Sequence, residues 1–225
     1  MTPVLRPLGD RAILAEYTDF ESAIGFASAL AHRSFPWVED VVPAYSRVGV
    51  HIDPDRIGLR QAMAILGEIV SDPTVPCGTE LHIIPVCYDG GPDLDRVAAF
   101  TGLSFERIVA LHASIEYTVF AIGFVPGFPY LGELPEPLRG VPRLDSPRVR
   151  VEPGSVGLTG SQTGIYPLAR PGGWNLIGRT PLTIVDPATD FFPIRVGDRV
   201  QFEPIDRSQF DEDSLQRLAR RSAAW

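Results

Sequence analysis

Residues 121 to 180 hold 11 of the chain's 21 glycines and 9 of its 22 prolines, so one position in three is a residue that helices reject. Proline removes a backbone donor and collides with the preceding turn, while glycine loses the most conformational entropy on being made helical. A long helix is excluded across this block. Disorder is excluded as well, because disordered segments lack bulky apolar residues, and this one carries Phe124, Phe128, Tyr130, Leu131, Tyr166, Trp174, Leu176 and Ile177. The block predicts closely packed, irregular β structure with many tight turns.

Charge departs from the rest of the chain in the same block. Residues 1 to 120 carry 8 basic and 16 acidic side chains and residues 181 to 225 carry 6 and 8, whereas 121 to 180 carry 6 and 4, within a net charge of -8. Arg143, Arg148, Arg150, Arg170 and Arg179 lie here, and a guanidinium matches carboxylate or phosphate oxygens in a two-point fork. A small anionic substrate is the expectation. Pairing with Glu133, Asp145 and Glu152 is the purely structural alternative. In EPGSVGLTGSQTG, Gly154, Gly157, Gly160 and Gly164 permit positive φ, so consecutive amides could face an anion; the same glycines equally suit bulges and turns. Gln162 and Tyr166 add neutral hydrogen-bonding groups. Pro126 and Pro129 stiffen GFVPGFPYLG, as a pre-organised pocket wall requires.

Several chemistries are excluded. All 20 basic side chains are arginine. A phosphate-binding loop, a Schiff-base enzyme and a biotin carrier each need a lysine, so none of them is encoded here. The acidic balance opposes general nucleic-acid binding. No apolar run approaches the ~18 residues that span a bilayer, so no membrane segment is expected. Met1 to Asp10 lacks a secretory pattern, which makes the cytoplasm the expected compartment. Cys77 and Cys87, ten apart, fit neither a redox pair nor half a zinc ribbon and read as buried free thiols. His32, His51, His82 and His112 show no ligand spacing and read as structural, with no metal site. No GxSxG elbow and no dinucleotide fingerprint are present.

Along the chain, Arg11 to Tyr17 reads as a strand, Phe20 to Leu30 as a helix, and Val38 to Tyr45 and Arg47 to Ile52 as two strands. Asp53 and Pro54 read as the start of a second helix carrying Ile57, Met63, Leu66 and Ile69. SDPTVPCGT (Ser71 to Thr79) reads as a linker. Beyond it come a strand at Leu81 to Tyr88, helices in DLDRVAAFTG and SFERIVALHAS with Ser104 as a cap, and strands at Tyr117 to Gly123, Pro181 to Asp186 and Asp198 to Phe202. Ser214 to Arg221 reads as a terminal helix. The sum is an α+β chain of two domains, 1–76 and 77–225, the first an antiparallel sheet with helices on one face.

Four ordered motifs then carry a resemblance: GFVPGFPYLGELP (Gly123 to Pro135), the pairs Pro142-Arg143 and Pro147-Arg148, EPGSVGLTGSQTGIYP (Glu152 to Pro167) and PGGWNLIGRTP (Pro171 to Pro181). With GDRAILAEY, PVCYDG and GDRVQF they extend it over nearly the whole chain. The sequence resembles the family described as the B component of 5-oxoprolinase, allophanate hydrolase subunit 1 and sporulation-kinase inhibitor. The resemblance implies a cyclophilin-like β-barrel as the second domain and a partner, the C component of 5-oxoprolinase or an allophanate hydrolase subunit 2-like protein. It implies an ATP-dependent opening of 5-oxoproline, with magnesium, completed by a separate A component, and no biotin on this chain. Arg148, Gln162 and Tyr166 are the catalytic candidates. Phe124, Pro126, Phe128, Tyr130, Arg143, Gly157, Gly160, Trp174 and Arg179 are the substrate-binding candidates. Arg170 and Glu152 stand where the family pattern has a serine and a small residue, which leaves allophanate or urea as the alternative substrate. Inhibition of a histidine kinase by contact is the alternative function.

Overall fold

Alternating burial builds the first part of the chain. In β2 (Ala12–Glu16), Ile13 and Ala15 are fully buried, and in β4 (Arg47–Ile52), Val48, Val50 and Ile52 are as well, one face of each strand turned to the core. β1 (Val4–Leu8), β2, β4 and β3 (Val38–Ala44) form antiparallel pairs in that order. Helix α1 (Phe20–Arg33) starts where the Asp19 carboxylate accepts from Ser22 N at 2.7 Å. It buries Phe26, Ala27 and Leu30, which join Ile13, Val50 and Leu66 of α2 (Leu59–Gly67) in one core. The computed structural model describes residues 2–72, 80–212 and 216–219, and the chain divides into two compact units, 1–78 and 79–225.

The second unit is a mixed seven-stranded β-barrel. Its strands are β5 (Leu81–Cys87), β6 (Glu116–Ile122), β7 (Pro129–Gly132), β9 (Ser155–Thr159), β10 (Gln162–Ile165), β12 (Asn175–Arg179) and β13 (Arg199–Ile205). They run in the order β6-β13-β5-β12-β9-β10-β7, and β7 pairs back onto β6 to close the sheet. Only β13 and β5 pair in parallel, with Phe202 opposite Ile84. Closure leaves no free edge on these strands. Ile84, Val86, Tyr117, Val119, Val156, Leu158, Val200 and Phe202 fill the interior. Helices α3 (Leu94–Thr101) and α4 (Phe105–His112) pack on it, and Ser104 caps α4 by accepting from Arg107 N. β8 (Arg148–Val151) and β11 (Arg170–Gly172) form a separate two-stranded ribbon.

Inside the barrel lies a buried polar network around His112. Its ring nitrogens bond the Tyr88 hydroxyl and the Thr163 hydroxyl, each at 2.8 Å, and Tyr117 donates to the His112 carbonyl. Complete burial pulls the imidazole down to about 3, so it is neutral. His82 pairs with buried Asp198 at 3.1 Å. His112 and His82 are core residues.

Four elements differ from the sequence reading. β1 was not expected; its outward positions are Val4, Arg6 and Leu8, too exposed to give a burial pattern. The second helix begins at Leu59, because Asp53 instead closes a turn, accepting from Asp55 N and from Arg56 Nε. Pro181 to Asp186 makes only isolated bridges, Thr183 to Arg217 and Asp186 to Phe191, and Asp186 caps a short 3-10 turn at Pro187–Thr189. Helix α5 is Arg207–Glu212, earlier than predicted. Of 214–221, residues 216–219 are described and lie along the Thr183 segment, Leu218 N donating to Thr183 O while its side chain joins the barrel core. Cys87 is a buried free thiol; Cys77 and most of the expected linker lie outside the described residues.

Candidate functional site

The glycine- and proline-rich block supplies six strands of the barrel and ribbon, β7 to β12, and their short connections bring its aromatic side chains together. Phe128, 1 % exposed, is the hub. Its ring meets Tyr130, Tyr166 and Trp174 edge-on at centroid distances of 5.0, 5.2 and 5.4 Å. Two glycines make this packing possible. A Cβ on Gly164 would lie 2.8 Å from Pro129 O and 2.9 Å from Phe128 Cζ, and one on Gly172 would land on the Tyr166 ring. Phe124, held at φ 65°, stands exposed at the mouth. These rings, with Arg143, Pro147 and Gly173, line a cavity of about 240 Å³.

Arg143 is the cation of this aromatic pocket, and its guanidinium has no hydrogen bond or ion pair among the described residues. The loop bearing it is fixed through buried Asn175, whose Nδ2 donates to Pro142 O at 2.9 Å and to Leu158 O at 3.1 Å. Arg96 of α3 donates from Nε to Asn175 Oδ1 and from Nη2 to Arg143 O. Burial pushes the Tyr166 phenol up, opposed by the Trp174 N–H it accepts and by the charge of Arg143. It is a neutral hydroxyl, not a base.

A second cleft, about 310 Å³, opens beside the ribbon and is lined by arginines from three elements: Arg148 and Arg150 of β8, Arg179 of β12 and Arg207 of α5. Asp89 and Glu152 are the acids among its lining residues. Asp93 anchors it from below: Oδ1 accepts from Arg148 Nη2 at 2.7 Å and Oδ2 from Leu176 N at 2.6 Å. Arg148 Nη1 is buried without a partner among the described residues. Arg150 and Glu152 pair at 2.6 Å in solvent, each holding the other charged. Arg179 donates to Pro153 O, and the Arg179 and Arg207 guanidinium carbons lie 6.0 and 5.1 Å from the centre of one ring, Phe210.

The sequence candidates therefore divide. Phe124, Phe128, Tyr130, Arg143, Tyr166 and Trp174 meet in the aromatic pocket; Arg148 and Arg179 meet in the arginine cleft. Pro126, Gly157, Gly160 and Gln162 line neither. Gly157 packs behind Trp174, Gly160 is a left-handed turn residue between β9 and β10, and Gln162 pairs with Gly132 and Thr159. The amides of the EPGSVGLTGSQTG stretch do not form an anion nest. Gly154 N donates to Tyr166 O, Gly160 N to Val141 O, and Gly157 and Gly164 face each other in the ladder. Asp93, Asn175 and Arg207 escaped the sequence reading. Asp93 precedes a helix like any capping aspartate, Asn175 sits in a strand, and Arg207 lies 28 residues past Arg179, so local pattern carries no signal for them. No helix among the described residues is long and apolar enough to cross a membrane.

Known proteins resemble this chain in sequence and in fold. The chain is 57% identical to the B component of 5-oxoprolinase from Escherichia coli O157:H7 over 124 residues, 54% of this chain and 56% of that protein. It is 35% identical to the B component of 5-oxoprolinase from Bacillus subtilis over 231 aligned positions, 92% of this chain and 94% of that one. The match thus spans little more than half of the first relative and nearly all of the second. The crystal structure of TTHA0988 superposes with a TM-score of 0.78 at 37% identity, over 88% of this chain but only 40% of that longer one. Residues 3–192 match the model described as carboxyltransferase domain, subdomain C and D, and the chain belongs to that family.

Proposed function

We propose that this chain is the B component of an ATP-dependent 5-oxoprolinase, acting in the cytoplasm with a C component, and with an A component, to open 5-oxo-L-proline to L-glutamate. The observation that carries the reading is the near end-to-end match to a protein of that name. The two clefts give it chemical sense.

An unstrained lactam is a poor electrophile. Attack of its oxygen on the γ-phosphorus of ATP, with the bond to the bridging oxygen breaking and ADP leaving, activates the ring carbon. Water adds there and the C–N bond opens, its electron pair and a proton going to nitrogen. A second water releases phosphate from the resulting acyl phosphate. Each step places negative charge on oxygen, and positioned guanidinium groups stabilise such charge without reorganising. This chain supplies the arginines, a neutral Tyr166 hydroxyl as a donor, and a small aromatic pocket. Among the described residues no group of three His, Cys, Asp or Glu could hold a metal ion, so magnesium would be carried by the nucleotide's phosphates. Proton-transfer groups are assigned to the partner, consistent with a relative named as one component of an enzyme and with a matched structure more than twice as long.

The test is co-expression with the candidate C and A components and an assay of glutamate and ADP from 5-oxoproline and ATP. Turnover that requires both substrates is expected. Arg148→Ala or Arg179→Ala should lower it at least ~10-fold, about 1.4 kcal/mol of transition-state stabilisation. An inactive complex, with the chain binding a histidine kinase tightly instead, would overturn the reading.

A further inference from the structure

The two clefts differ in the kind of anion each is built to take. The aromatic pocket is small, about 240 Å³, walled by five interlocked rings and provided with one guanidinium, Arg143. Its charge suits a single carboxylate, and its walls suit a small ring. The arginine cleft is built the opposite way. Four guanidinium groups face two carboxylates, and Arg179 and Arg207 converge on the Phe210 ring.

Bringing like charges together costs free energy. The lining acids, Asp89 and Glu152, offset two of the four charges and leave a surplus of two. Glu152 is engaged by Arg150, and Asp211 touches Arg207 at 3.5 Å with both side chains about two-thirds exposed, a pair of little worth. Asp93 is shared between Arg148 and the Leu176 amide, and Arg148 Nη1 remains without an acceptor among the described residues. Such a surplus fits several negative charges at once, as on a polyphosphate.

Between the two clefts runs the β8–β11 ribbon. Pro147 and Gly172 line the aromatic side, while Arg148 and Arg150 line the other. One short ribbon thus serves two sites.

Resting on the 5-oxoprolinase reading for the identity of the ligands, we propose that the ribbon divides two subsites: a polyphosphate cleft at Arg148, Arg179 and Arg207, and a separate cyclic-carboxylate pocket at Arg143 and Tyr166. Arg207 becomes a nucleotide-binding residue, and Arg143 the residue that selects the carboxylate.

Calorimetric titration of the full chain with inorganic triphosphate and with 5-oxo-L-proline tests the division. Arg207→Ala should weaken triphosphate at least 5-fold and 5-oxoproline less than 2-fold; Arg143→Ala should do the reverse. Triphosphate affinity should fall with added salt, and saturation with one ligand should leave the other's affinity unchanged. Both arginines are exposed, so unchanged thermal midpoints are expected to establish folding. In the assembled complex the same variants should raise KM for ATP and for 5-oxoproline respectively. Competition between the two ligands, or one variant weakening both equally, would overturn the division even in an active complex. An inactive complex whose chain still loses triphosphate on Arg207→Ala would remove the 5-oxoprolinase reading and keep the polyphosphate cleft. No binding of either probe to chain or complex would end both.

Discussion

At Gly164 a single methyl group has no room, since its carbon would press on the Pro129 carbonyl and the Phe128 and Trp174 rings. Gly164→Ala should destabilise the protein by about 1–3 kcal/mol through overpacking of the aromatic cluster, read by urea denaturation. Gly160 is the contrast: it sits at φ 57° with open space around it, so Gly160→Ala should cost only about 1 kcal/mol from backbone strain. The glycine spacing in EPGSVGLTGSQTG was legible; which glycine answers to φ and which to packing was not. His112 makes a second residue-scale prediction. Its folded imidazole is depressed to about 3 against an ordinary 6.5, so the unfolded chain binds more protons between those values. Its stabilising contribution is complete above about pH 6.5 and is lost as pH falls toward 3, amounting to a few kcal/mol. The hydroxyls and rings around it, Tyr88, Thr163, Tyr117 and Phe202, are neutral there. His112→Asn should flatten the pH dependence of the thermal midpoint over that range; an unchanged slope would exclude His112 as its source.

Elements followed the sequence wherever burial alternates. β2, β4, β5 and β6 lie within a residue or two of expectation because one face of each is apolar. α4 begins where Ser104 can cap it, and Ser104→Ala should cost about 1 kcal/mol, with the loss appearing in local hydrogen exchange of Arg107 and its neighbours. Asp53, by contrast, carries the same capping signature and closes a turn. The segment after Pro181 makes single bridges, Thr183 to Arg217 and Asp186 to Phe191, and builds no ladder among the described residues. Asp93 links elements most directly, joining β8 to β12 through Arg148 and Leu176 N. Asp93→Asn should destabilise by about 3 kcal/mol, because it leaves a partly buried guanidinium uncompensated. Triphosphate affinity should fall with it, since Arg148 loses the group that holds it.

For the whole molecule, the 5-oxoprolinase reading predicts that the isolated chain makes no glutamate and that titrating in the partner restores turnover up to a fixed stoichiometry; full activity of the chain alone would place every catalytic group within it. By itself the sequence determined the α+β class, the packed β character of residues 121–180, the lysine-free chemistry and the family, because composition, period and motif order are local properties of the chain. Tertiary structure decided how that block is divided. Barrel closure through β6 and β7 and the β8–β11 ribbon set Arg143 among aromatic rings and bring Arg207 and Phe210, from beyond the block, against Arg148 and Arg179. Which arginines share a cleft depends on contacts between residues far apart in the chain, and no local pattern encodes those.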